Sequence, residues 1–110
     1  MRMLMLALLT VGFLFFSNAE AKVVVTHRFG CGQWIEARNG KGVAAHVVEN
    51  WVDGYLSGLA VGSNTEFWRK GGSRLDKESV YLWIDNYCRA NPLKTTVEAG
   101  SALFKEHTTR

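Results

Sequence analysis

At 110 residues, with two cysteines, one proline and a formal net charge of +3, the chain has room for one small domain and little more. Its 13 basic side chains are scattered among 10 acidic ones, so the polybasic run or charged stripe that nucleic acid asks for is missing. A chain this short buries a modest fraction of its surface on folding and often needs a covalent staple.

The first 21 residues read as a secretory leader. Arg2 supplies the positive start, Leu4 to Phe16 is apolar or small throughout, and Ala19-Glu20-Ala21 matches the small-x-small cleavage pattern, which places the cut after Ala21. The apolar run is shorter than the ~20 residues that a membrane span requires. The processed chain, residues 22–110, is expected to form a single helical domain with no membrane span. Removing Arg2 and Glu20 together leaves the net charge at +3.

After an extended or strand-like arm at Lys22–Arg28, Gly30 and Gly32 flank Cys31 and mark a turn. "QWIEAR" then predicts a short helix from Gln33 to about Arg38, stopped by Asn39-Gly40 and Gly42. Val43 to about Val61 predicts the main amphipathic helix. Val47, Val48, Trp51, Val52, Tyr55 and Leu59 share its apolar side, and Glu49, Asn50, Asp53 and Ser57 share its polar side. Gly54, Gly58 and Gly62 form a small-residue ridge, each weakening the helix by about 1 kcal/mol relative to alanine. Close approach of another element is the expected compensation.

Ser63–Leu75 reads as a polar connection, and Asp76 or Ser73 as the cap of a third helix from Lys77 to about Ala90. Val80, Trp83, Ile84, Tyr87 and Cys88 line its inner side, Leu82 and Asn86 point away, and Asp85 is spaced to pair with Arg89. Asn91-Pro92 ends it, because a residue before proline avoids the helical region. Thr95 with Glu98 is a capping box opening a fourth helix to about Glu106, with His107 in a fraying end. The fold class is therefore all-α: a bundle of three to four helices. Two cysteines in an exported chain most simply join, so Cys31 and Cys88 are expected to staple it, closing a loop of about sixty residues.

The catalytic inventory is thin. His27 and Cys31 are one doubtful ligand pair, while His46, Cys88 and His107 are scattered, so no metal and no cofactor is expected. Cys31, nearer a helix start, would be the more reactive thiol if the pair were reduced. Glu49 and Asp53 lie four apart on one helix face and are the carboxylates a small hydrolase would use. A solvated face is the ordinary reading of such a pair. The sequence holds no nucleophile elbow, phosphate loop or dinucleotide fingerprint. Of the four tryptophans, Trp34, Trp51 and Trp83 fall at inner helical positions. Trp68 instead sits in "FWRK", and Phe67, Trp68, Arg69 and Lys70 have the aromatic-plus-arginine composition of a partner-binding hot spot. A connection anchored by its own aromatics is the alternative.

The segments "CGQWIEAR", "WVDGYLSGLA" and "YLWIDNYCRANPLKTTVEAG" together resemble the HdeA-like superfamily of small periplasmic helical proteins, and the Rap-type immunity proteins of type VI secretion look similar. The shared features are a leader, an early cysteine (Cys31), a glycine-bearing central helix (Gly54, Gly58) and a late cysteine before Asn-Pro (Cys88, Asn91-Pro92). The resemblance implies a periplasmic or secreted protein that binds another protein without catalysis, either holding unfolding clients under acid stress or neutralising a toxin. In an acid-stress chaperone, protonation of carboxylates such as Glu49, Asp53, Glu78 and Asp85 loosens the fold. An accessory subunit of an envelope machine, recruited through Phe67-Trp68, and a homodimer are the remaining alternatives.

Overall fold

The computed structural model describes residues 24–109, so the expected leader and its cleavage site lie outside the described residues. The chain is a four-helix bundle: α1 (Cys31–Gly40), α2 (Gly42–Ser63), α3 (Lys77–Ala90) and α4 (Thr96–Thr108). Between α2 and α3 stands a small antiparallel hairpin, β1 (Arg69–Lys70) and β2 (Ser73–Arg74). α1 and α4 each pack on both α2 and α3. Among the described residues no helix is long and apolar enough to cross a membrane.

α1 begins two residues earlier than the sequence suggests. Gly30 is its N-cap, and its N–H donates to Gln33 Oε1 at 2.8 Å, satisfying one of the donors that a helix start leaves free. Only Lys41, held at φ 56°, separates α1 from α2. That tight corner lays the last turn of α1 over the first turns of α2. α2 ends in a Schellman turn at Asn64, in left-handed conformation, with Thr65 N–H reaching Ala60 O at 3.0 Å. Asp76, not Ser73, caps α3 by accepting from Ser79 N at 3.3 Å. The Thr95/Glu98 capping box opens α4, with Thr95 N donating to Glu98 Oε2 at 2.9 Å.

Among the described residues, the arm ahead of α1 forms no strand. It makes one antiparallel bridge, Gly30 to Thr95. Around that bridge Cys31 N donates to Lys94 O at 2.8 Å, and Thr96 N and Oγ1 both donate to Phe29 O, at 2.8 and 3.0 Å. Beside it lies the Cys31–Cys88 disulfide, with Cα atoms 4.8 Å apart. The staple thus joins the first turn of α1 to the last turn of α3, and both cysteines are buried. A disulfide fits an oxidising compartment such as an exported protein meets.

The core is built from Trp34, Val52, Leu56, Phe67, Val80 and Ile84, each 2 % exposed or less. Each such side chain contributes about 1.5–3 kcal/mol of transfer free energy. Two expectations are corrected here. The buried stripe of α2 is Ala45, Val48, Glu49, Val52 and Leu56, rotated toward Glu49, so that Val47 is half exposed. The glycine ridge is not a helix contact: a Cβ on Gly54, Gly58 or Gly62 would meet nothing within 4 Å. The close approach runs instead through Gly100 of α4, where a Cβ would lie 2.9 Å from the ring of Tyr55. That ring stacks on Trp51, and its hydroxyl shares a 2.7 Å hydrogen bond with Ser101.

Candidate functional site

Two polar constellations stand out, one inside the bundle and one on its surface. The inner one centres on Arg38, in the last turn of α1. Its guanidinium forks onto Asp85 of α3, Nε to Oδ1 at 3.1 Å and Nη2 to Oδ2 at 3.0 Å. Nη1 donates to Glu49 Oε1 of α2 at 2.7 Å, and Glu78 stands 3.6 Å from Nη2. Asp85 Oδ1 also accepts from the buried Trp34 indole N–H at 2.7 Å. The guanidinium lies over the faces of Trp34 and Tyr81, 5.8 and 5.4 Å from their centroids. The hydrogen bond to Asp85, above all, holds the guanidinium proton more tightly than in a free arginine. Asp85 therefore does not pair with Arg89, which turns to Asn86 instead. A bidentate arginine fork is a rigid connector, and here it ties α1, α2 and α3 together.

Glu49 and Asp53 do not form a solvated carboxylate face. Glu49 is only 9 % exposed and is engaged by Arg38, with His46 Nδ1 3.4 Å away. Asp53 Oδ2 accepts from Tyr81 Oη at 2.8 Å and lies 3.2 Å from Lys77 Nζ, while its Oδ1 is buried with no partner. Burial first, and then this bond to Asp53, push the Tyr81 phenol above its ordinary range. Each of the two carboxylates thus has its own partners. Among the described residues no three His, Cys, Asp or Glu side chains gather as a metal site. His107 stays in α4, packed edge-on against Phe67 at 5.1 Å.

The surface constellation is the segment singled out as a hot spot. Phe67 is fully buried and stacks on Phe104 at 5.6 Å, so it acts as the anchor of the segment. Trp68 packs edge-on against it at 5.0 Å and is half buried, with its indole N–H donating to Ser57 Oγ at 2.9 Å. Arg69 and Lys70 follow as β1 and are exposed, with Lys70 Nζ reaching His107 O at 3.3 Å. The hairpin turns at Gly71-Gly72, whose φ values of 59° and 83° are those of a type I′ turn that side chains resist. Beside the hairpin, a cleft of about 810 Å³ is walled by Asp53, Ser57, Trp68, Arg74, Leu75, Asp76 and Lys77. Its size falls in the range of ligand-binding clefts.

Arg74 is the surface residue that sequence reading missed. The signal was present, since a two-residue Gly-Gly between "RK" and "SR" marks a tight hairpin and places Arg74 opposite Arg69. Comparison of the chain with family profiles, with curated proteins and with solved structures finds no match.

Proposed function

We propose that this chain is an exported, non-catalytic binding module that recognises another protein through the face made by Trp68, the hairpin and the adjoining cleft. The observation behind this reading is the division of labour in "FWRK". A buried phenylalanine anchors the segment while a half-exposed tryptophan and two exposed cations are presented beside a cleft. Aromatic and arginine side chains on a rigid support are the usual carriers of binding energy at interfaces. The candidate hydrolytic carboxylates, by contrast, are held in structural hydrogen bonds. The leader-like sequence and the disulfide support a periplasmic or secreted setting.

Within this class the resemblance to small periplasmic helical proteins supports both an acid-stress chaperone and an immunity protein. A photo-crosslinker placed at position 68, in cells that export the chain, tests the reading. The expected result is at least one discrete adduct with a heterologous protein, lost when the crosslinker is moved to the buried position 84. No adduct at neutral or acid pH rejects it. Protection of many clients only in acid marks a chaperone, and a single adduct at neutral pH marks an immunity protein.

A further inference from the structure

The register of the hairpin sets Arg69 directly opposite Arg74. Directly opposed residues of an antiparallel pair project from the same face. Leu75 N donates to Trp68 O at 2.7 Å, so the pair Trp68–Leu75 is the hydrogen-bonded one and Arg69–Arg74, one step along, is not. Non-hydrogen-bonded pairs bring their side chains closest, with Cβ atoms about 4.5–5.5 Å apart. Like charges directly opposite are destabilising. Nothing in the fold relieves them, because among the described residues neither guanidinium has an ion-pair or hydrogen-bond partner.

The surrounding acids are occupied. Asp76 is spent on capping α3 through Ser79 N and Oγ, and Asp53 on Tyr81 and Lys77. Guarding an exposed strand edge does not account for the pair either, since strands of two residues are already too short to recruit another strand. The I′ turn holds both arginine backbones in one arrangement, so binding has only the two side chains left to order and no backbone.

We propose that Arg69 and Arg74 form a twin-guanidinium clamp for the carboxylates of an acidic protein segment, whose neighbouring apolar side chain enters the cleft against Trp68 and Leu75. This inference rests on the protein-binding reading above and gives that partner its chemistry. A carboxylate satisfies both forks and removes the repulsion between them. The apolar wall of Trp68 and Leu75 is what selects a peptide over a free phosphate, which has nothing to place there. Nucleic acid is disfavoured because the chain's cations form no run or stripe for a phosphate backbone to follow.

The test is an NMR titration of the oxidised chain, purified after export, with a peptide of four glutamates flanking one leucine. The lysine counterpart of that peptide and inorganic tripolyphosphate serve as comparison probes. The acidic peptide is expected to shift the Nε–Hε signals of Arg69 and Arg74 together with the indole signal of Trp68, and to bind more weakly as salt rises. Arg69→Gln with Arg74→Gln is expected to lower its affinity at least tenfold while leaving the melting temperature unchanged or higher, since the repulsion goes with the charges. Undiminished binding by the double variant overturns the clamp, as does tripolyphosphate binding more tightly than the peptide with the Trp68 signal unmoved. If the peptide fails to bind while the position-68 crosslink still forms, protein binding stands and the acidic partner falls. Failure of both removes both.

Discussion

Replacing Asp85 by alanine probes the deepest polar contact of the bundle. Asp85 is 4 % exposed, and its carboxylate receives three donors, Trp34 Nε1 at 2.7 Å and Arg38 Nε and Nη2 at 3.1 and 3.0 Å. Alanine leaves the fully buried Trp34 N–H without an acceptor, a loss of about 1–3 kcal/mol. It also leaves the Arg38 charge with two counter-ions, Glu49 at 2.7 Å and the more exposed Glu78 at 3.6 Å. Removing one partner of a fully buried ion pair costs about 3–5 kcal/mol. Glu49 remains 2.7 Å away and the Arg38 side chain is 16 % exposed, so this contribution falls to about 1–2 kcal/mol. The total, about 2–5 kcal/mol, is a large share of the ~5–15 kcal/mol that holds a small domain together. Urea unfolding under oxidising conditions, read by tryptophan fluorescence and by far-ultraviolet dichroism, measures it. Arg38→Met alone strands Asp85 and Glu49 together and should be similarly damaging. The double variant should then lose about 2 kcal/mol less than the sum of the two. A loss below about 1 kcal/mol for Asp85→Ala, or additivity in the double variant, would refute the view that this cluster locks three helices.

Three further outcomes follow from the packing. Cys31→Ala with Cys88→Ala opens a loop of 57 residues and should lower stability by about 4 kcal/mol in the chain-entropy account, measured as a drop in urea midpoint. Gly58→Ala, with open space around the new methyl group, should stabilise α2 by about 0.5–1 kcal/mol. Gly100→Ala should instead destabilise by about 1–3 kcal/mol as its methyl group meets the Tyr55 ring; equal effects at both sites would contradict the assigned helix contact. Tyr81 is held neutral above its ordinary value of 10.0, so the folded form keeps a proton that the unfolded chain releases. Stability from this group is complete below pH ~10 and declines as pH rises above it, and the phenolate absorbance of Tyr81 should appear only with unfolding. Tyr81→Phe should flatten that alkaline decline.

The helices were legible because their punctuation is local. Asp76, Thr95 with Glu98, and Asn91-Pro92 act within a few residues of themselves, and the boundaries they mark agree with the structure. The staple was legible because two cysteines allow one pairing. What escaped was non-local. Periodicity placed Glu49 with the polar residues of α2, yet a guanidinium from another helix carries it into the interior. Asp85 has an arginine four residues away in sequence, and geometry selects one that lies 47 residues distant. Likewise, three glycines in register suggested an interface, but a lone Gly100 makes it. Half of the surface site was visible as "FWRK"; Arg74 and the cleft required knowing that the connection doubles back.

The bridge between Gly30 and Thr95 has a temporal meaning as well as a spatial one. The hydrogen bonds that secure Phe29 and Cys31 are supplied by Lys94 and Thr96, at the threshold of the final 13-residue helix. A chain delivered N-terminus first must therefore keep its opening turn waiting until its tail arrives. Loss of that tail, by early termination or by proteolysis, would unfasten the molecule at its beginning.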